Sequence, residues 1–180
     1  MTSHFLRGLA GLSLALAASS GAAQEQSTNR VAAKTDWSVF VESDPTSCWS
    51  VSSPKETVNT KDGRVVAVRR GDILLFVSYI PSQNAKGQVS FTGGYPFAPG
   101  SQVSMEIGSQ TFQLFTDAET NKEMAWSPSD ADDAKILTAM KRGAEAVLTA
   151  RSARGTTTKD TFSLLGFTAA QAEAESRCSG

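Results

Sequence analysis

Histidine is almost absent from this chain: the single copy, His4, stands at its very start. Cysteine occurs twice, as Cys48 and Cys178. An excess of charge is also lacking, because 17 lysines and arginines face 18 aspartates and glutamates, for a formal net charge of −1. A chain this close to neutral has no electrostatic reason to seek nucleic acid or an anionic membrane. Beyond the first residues the longest apolar stretch, Ile73 to Ile80 (ILLFVSYI), is strand-sized and contains a serine. A membrane-crossing helix needs about 20 apolar residues, so no integral membrane span is expected.

What the start does contain has the layout of a secretory signal. Arg7 supplies a small positive region, Leu9 to Ala18 (LAGLSLALAA) an apolar run, and Ser19 to Ala23 (SSGAA) the small residues before a cleavage site. Cleavage is expected between Ala23 and Gln24, which makes residues 1–23 a signal peptide. Its loss removes Arg7 and no acid, leaving 157 residues with a formal charge of −2. That length suffices for one domain with a hydrophobic core. Cleavage also removes His4. The mature chain then has no imidazole, which excludes a Ser-His-acid nucleophilic constellation. The expected location is the periplasm, with secretion or envelope association left open.

Residues 24–33 (QEQSTNRVAA) read as a flexible lead-in to a single domain over 34–180. From there the pattern has period two: Trp37, Val39 and Val41 alternate with other residues in TDWSVFVE, as in a half-buried strand. CWSVS (48–52), VVAVR (65–69), ILLFVSYI (73–80), QVSFTGG (88–94), QVSMEIG (102–108), TFQLFT (111–116) and EMAWS (123–127) continue the series. Asn59 to Gly63 (NTKDG) supplies turn chemistry. Short strands at this spacing predict an all-β sandwich or barrel. Trp37, Trp49 and Trp126 read as core.

One helix interrupts the strands. Asp130, Asp132 and Asp133 crowd its first turn, Lys141 and Arg142 close its last, and Gly143 is placed as a stop. Ile136, Leu137 and Met140 form its apolar face. Strands return in AEAVLTARS and TTTKDTFSLL. The chain closes on a second, alanine-rich helix, in which Thr168 and Gln171 are spaced as a capping box. Such a helix is marginal alone. In an exported protein two cysteines most simply form one disulfide, and Cys48–Cys178 would pin that helix to the front of the domain.

Few other residues suggest chemistry. A Ser-Lys arrangement has no recognisable motif among the scattered lysines. Asp130-Ala131-Asp132-Asp133 resembles the start of a calcium loop but lacks the glycine and glutamate of that pattern. Arg70-Gly71-Asp72 spells an integrin-type tripeptide at a strand junction, where Gly71 reads as a turn or bulge residue. The loop GGYPFAPG (93–100) is the best surface candidate. Tyr95, Pro96 and Phe97 place aromatic rings on a Gly- and Pro-restricted loop, a candidate partner-binding surface.

Several segments carry a family resemblance: GGYPFAPGSQVSMEIGSQTFQLFT (93–116), the helix DAKILTAMKRG (133–143), SARGTTTKDTFSLLGFTAA (152–170) and the terminal Cys178. TDWSVF (35–40) and Cys48-Trp49 fit the same pattern. In these the chain resembles the invasion associated locus B family of secreted bacterial proteins. The resemblance implies a mainly β, immunoglobulin-like β-sandwich with one inserted helix and a short C-terminal helix. It also implies the Cys48–Cys178 disulfide and no catalytic, metal or cofactor residues. The partner it implies is an unknown envelope or host protein, with a role in host entry in pathogens. One departure is Ile80 before Pro81, where a basic residue is expected. The expected function is therefore non-catalytic binding in the envelope. A periplasmic hydrolase and a small-ligand carrier are the alternatives.

Overall fold

A computed structural model describes residues 29–178. The expected signal peptide and the first half of the lead-in lie outside the described residues. In chain order the strands are β1 (Arg30–Lys34), β2 (Trp37–Ser43), β3 (Thr46–Ser52), β4 (Glu56–Lys61), β5 (Arg64–Val65), β6 (Leu74–Ile80), β7 (Ala85–Thr92), β8 (Gln102–Ile107), β9 (Gln110–Thr116), β10 (Met124–Trp126), β11 (Glu145–Arg151) and β12 (Thr157–Ser163). Helix α1 (Asp130–Arg142) separates β10 from β11, and α2 (Phe167–Cys178) follows β12.

The chain is mainly β, and both expected helices are present. All twelve strands belong to one continuous sheet, ordered β1-β2-β3-β6-β7-β10-β9-β8-β11-β12-β4-β5. Every neighbouring pair in it is antiparallel. The sheet folds back over itself. Phe91 of β7 meets Phe162 of β12 edge to face, with ring centroids 6.1 Å apart. At the corner where β2 begins, Trp37 Nε1 donates to Ser163 O at 3.0 Å, and Asp36 N donates to Leu165 O at 3.2 Å. Leu75, Val77, Val89, Phe91, Val103, Met105, Leu114, Leu148 and Phe162, wholly shielded from solvent, fill the space between the facing halves.

Helix α1 lies on β7 and is held there by a residue whose sequence position suggested only a dipole partner. Ser129 caps the helix, its Oγ accepting from Asp132 N at 3.2 Å, and Asp132 pairs with Lys135 at 2.9 Å. Asp133 instead turns inward. Its Oδ1 accepts from Val89 N at 2.7 Å and from Ser127 Oγ, tying the helix start to β7. Burial pushes the Asp133 carboxyl above the ordinary aspartate range, and the two hydrogen bonds oppose that rise. Gly143 ends the helix without the left-handed geometry of a glycine stop, at φ −82°. It is small for packing: a Cβ there would lie 2.6 Å from Ile107 Cγ2.

Helix α2 lies against β1, β2, β3 and β6. Small residues meet across that contact, Ala170 and Ala174 on the helix and Ser50 on β3, all fully buried. Phe167 packs edge to face on Trp37, centroids 4.9 Å apart. Cys178 is bonded to Cys48, with Cα atoms 5.9 Å apart across 130 positions of chain. The expected capping box does not form. Helical bonding already begins at Gly166, whose carbonyl accepts from Ala170 N at 3.0 Å. Gln171 is therefore one turn inside, buried, and donates to Tyr79 Oη and to Glu175 Oε2.

Other expectations also change. The lead-in is ordered from Arg30 on, because β1 ladders onto the open side of β2. VVAVR is not a full strand: only Arg64 and Val65 pair, with β4, and residues 66–73 are irregular. Asn59 to Lys61 belong to β4, so the turn is Asp62-Gly63 alone. Of the three tryptophans only Trp37 is core. Because Cys48 points inward, Trp49 must point outward, where it stacks on Phe40 at 5.7 Å; Trp126 sits half-buried beside Phe115 at 5.9 Å.

Two outcomes follow from these anchors. A carboxyl whose folded pKa is raised contributes stability below its unfolded value, near 3.9, and loses it as pH rises through the folded value. Asp133→Asn has no such loss, so its stability relative to the wild type should rise from about pH 4 until the folded Asp133 carboxyl has ionised, then level off, in urea unfolding. The Cys48→Ser/Cys178→Ser double variant should be about 2–4 kcal/mol less stable, since the bridge closes a long loop. Hydrogen exchange should locate the added opening in α2.

Candidate functional site

The alternation of β12 sets the centre of the site. Thr158, Asp160 and Phe162 share its inward face, and Asp160 is completely buried. A lone carboxylate there would be costly, and Arg70 answers it from the irregular stretch after β5. Arg70 Nη1 donates to Asp160 Oδ1 at 2.7 Å and Nη2 to Oδ2 at 2.6 Å, a two-pronged ion pair with 5 % of the arginine side chain accessible. Two further arginine contacts reach Gly93 O at 2.8 Å and Asn59 Oδ1 at 3.3 Å. The guanidinium carbon lies 5.0 Å from the Tyr95 ring centroid, in cation–π contact. The Arg70-Gly71-Asp72 tripeptide therefore cannot offer its arginine to another protein.

The 93–100 loop is fixed around this pair. Gly71 N donates to Gly94 O at 2.8 Å, Phe97 N to Lys122 O at 2.9 Å, and Ala153 N to Pro96 O at 2.9 Å. Gly94 needs to be glycine twice over: its φ is +70°, and a Cβ would stand 2.5 Å from Gly71 O. Tyr95 Oη shares a hydrogen bond with Thr158 Oγ1. Burial raises the Tyr95 phenol above its usual range, with the Thr158 bond and the Arg70 charge pulling it back. It is a neutral phenol at physiological pH.

One member of the candidate loop must be withdrawn. Phe97 is buried, its ring 6.1 Å from Phe91 and 5.3 Å from Tyr95, because the backbone bonds of the loop turn it into the core. Tyr95 is half-buried and Pro96 exposed. These two line a cleft of about 510 Å³ together with Val68, Arg69, Glu123, Ala153 and Arg154. Arg69, Arg154 and Glu123 are exposed and make no ion pair among the described residues.

Both oxygens of Asp160 are held by Arg70, which does line the cleft, and no lysine lines it. Ser152 Oγ accepts from Thr156 N at 3.1 Å, within its own turn. Asp130, Asp132 and Asp133 do not converge as a calcium loop: Asp133 is turned inward and Asp132 serves the cap. Among the described residues no group of three His, Cys, Asp or Glu side chains is placed to hold a metal ion. Cys48 and Cys178 lie elsewhere, where the C-terminal end of α2 is bonded to β3. Arg69, Glu123, Arg154 and Asp160 carry no site reading in the sequence, and Arg70 enters there only within the Arg70-Gly71-Asp72 tripeptide. Only Asp160 had a readable sign, a charge in phase with Phe162 on an alternating strand.

Removing either partner of the buried pair strands a charge, at a cost of about 3–5 kcal/mol. Arg70→Met and Asp160→Leu should each show such a loss in urea unfolding. The double variant should lose much less than the sum, since no charge is left unpaired.

A family model described as invasion associated locus B (IalB) protein matches residues 37–175. No match is found among curated protein sequences. The crystal structure of invasion associated protein B from Bartonella henselae has a similar fold, with a TM-score of 0.52 at 16% identity, covering 81% of this chain and 95% of that one. With over half its length matched by the family model, and with the cleft built from segments inside that match, the chain belongs to the invasion associated locus B family.

Proposed function

We propose that the chain is an exported protein of the bacterial envelope that binds a protein partner and does no chemistry on it, with the cleft between Tyr95 and Arg154 as its contact surface. The observation that carries this reading is the pair of exposed arginines, Arg69 and Arg154, held without ion-pair partners over a floor that Arg70 and Asp160 immobilise. A fixed floor lowers the entropy lost on binding, and arginine is among the side chains enriched at protein contacts. The fully engaged Asp160 argues against acid–base catalysis at the cleft, which needs a group free to exchange a proton.

Delivery to the periplasm fits the same reading. The Cys48–Cys178 bond belongs in an oxidising compartment. No helix among the described residues is long and apolar enough to cross a membrane. We further propose that the curled sheet is a joined form of the immunoglobulin-like sandwich, one domain serving as a platform for the cleft. In a bacterium that invades host cells, the partner would be a host surface protein.

Crosslinking in intact cells tests the surface. A photoreactive residue at position 96 should capture a defined partner. The same residue at position 135, on the exposed side of α1, should not. Arg69→Gln with Arg154→Gln should reduce capture from position 96 by about tenfold, the size expected for losing charge-assisted contacts. Equal capture from both positions would defeat the assignment.

A further inference from the structure

We infer that the cleft takes an extended, acidic peptide segment, added as a strand beside residues 67–69. This rests on the binding reading above and names the class of partner.

The first observation is an open stretch of backbone. β5 is one of the two terminal strands of the sheet and ladders to β4 through Arg64 and Val65 only. Val66 N still donates to Asn59 O at 2.9 Å. After it, the backbone N–H and C=O groups of Ala67, Val68 and Arg69 have no hydrogen-bond partner among the described residues. The side chains here are not those of a protected edge. Val65 is 77% exposed and Val68 41% exposed, where sheet margins are normally blunted by a covering element or by dense charge.

The second observation is what adjoins that backbone. Val68 and Arg69 themselves line the cleft that Tyr95 and Pro96 also line. An added strand would therefore satisfy the open groups while alternate side chains drop toward Val68 and Pro96. That division is how strand addition obtains affinity from backbone and selectivity from side chains.

The third observation is charge. Arg70 is neutralised by Asp160, so the free charges at the cleft are Arg69 and Arg154 against Glu123. The surplus is positive, and it calls for carboxylates on the incoming segment. A second copy of this chain fits poorly, because antiparallel self-pairing about Ala67 sets Arg64 of one copy one position from Arg69 of the other, with no carboxylate in the paired stretch. An acidic polysaccharide would supply carboxylates but could not ladder with the backbone at 67–69.

The test uses the mature, disulfide-bonded chain and fluorescence anisotropy. The probe is a labelled eight-residue peptide of alternating valine and glutamate. It should bind, and its affinity should fall as salt rises. A glutamine-for-glutamate analogue and an analogue with alternate amides N-methylated should each bind about tenfold more weakly or worse. Arg69→Gln/Arg154→Gln should weaken the acidic probe similarly and flatten its salt dependence, with the thermal unfolding curve unchanged since both side chains are exposed. Equal binding of the N-methylated probe would overturn the strand geometry. Binding of oligogalacturonate in place of the peptide would overturn the peptide class. No peptide binding at about 1 mM would overturn the inference altogether. If crosslinking from position 96 still captures a partner in that case, the binding reading stands and only the strand inference falls. If crosslinking fails too, both fall.

Discussion

The Arg70–Asp160 pair joins parts of the chain that otherwise have little reason to stay together. Arg70 comes from an irregular stretch, Asp160 from the inward face of β12, Asn59 from β4, and Gly93 from the loop after β7. A buried ion pair contributes little net stability compared with apolar residues of the same volume, because desolvating two charges offsets most of their attraction. Its contribution here is geometric. The bidentate contact permits one orientation of the guanidinium, and that orientation sets Tyr95 by cation–π contact and Gly93 by a hydrogen bond. The cleft inherits its shape from this.

The opposite side of the molecule solves a different problem. An alanine-rich helix has little apolar area to bury, so α2 approaches the sheet closely, with Ala170 and Ala174 near the small residues of β3. Phe167 anchors one end on Trp37, and the bond to Cys48 anchors the other. Tyr79 and Gln171 complete the contact with a buried hydrogen bond. The C-terminal cysteine thus has a structural occupation, and chemistry at the cleft does not involve it.

Much of the strand order in sequence was legible because alternation survives wherever one face of a strand is buried. β2, β6, β8, β9, β11 and β12 fall within a residue or two of the runs that suggested them. The misreadings have specific causes. Trp49 reads as core because it lies in a strand, yet its neighbour Cys48 points inward and so turns the ring out. Thr168 and Gln171 have capping-box spacing, but tertiary contact with Tyr79 claimed the glutamine. VVAVR looks like a strand by composition, yet its β-branched residues flank an edge with no further neighbour. For the cleft, the loop carrying Tyr95 and Pro96 was visible as a Gly- and Pro-bounded aromatic segment. Its arginines were not, because Arg69 and Arg154 lie 85 positions apart and only the fold brings them to one opening.

The path of the sheet has a consequence for how the protein is made. β4, from the first third of the chain, pairs with β12, and Trp37 donates to the carbonyl of Ser163, 126 positions later. A polypeptide delivered from its N-terminus, by a ribosome or through a membrane, cannot complete that pairing while its C-terminal segment is still being supplied. Until β12 and α2 emerge, the inner faces of β2, β3 and β4 stay wet and their ladder groups stay open. Such long-range closure favours slow, late folding over folding during delivery. The nascent chain would remain loose enough to be threaded, and become compact only when its last segment arrives.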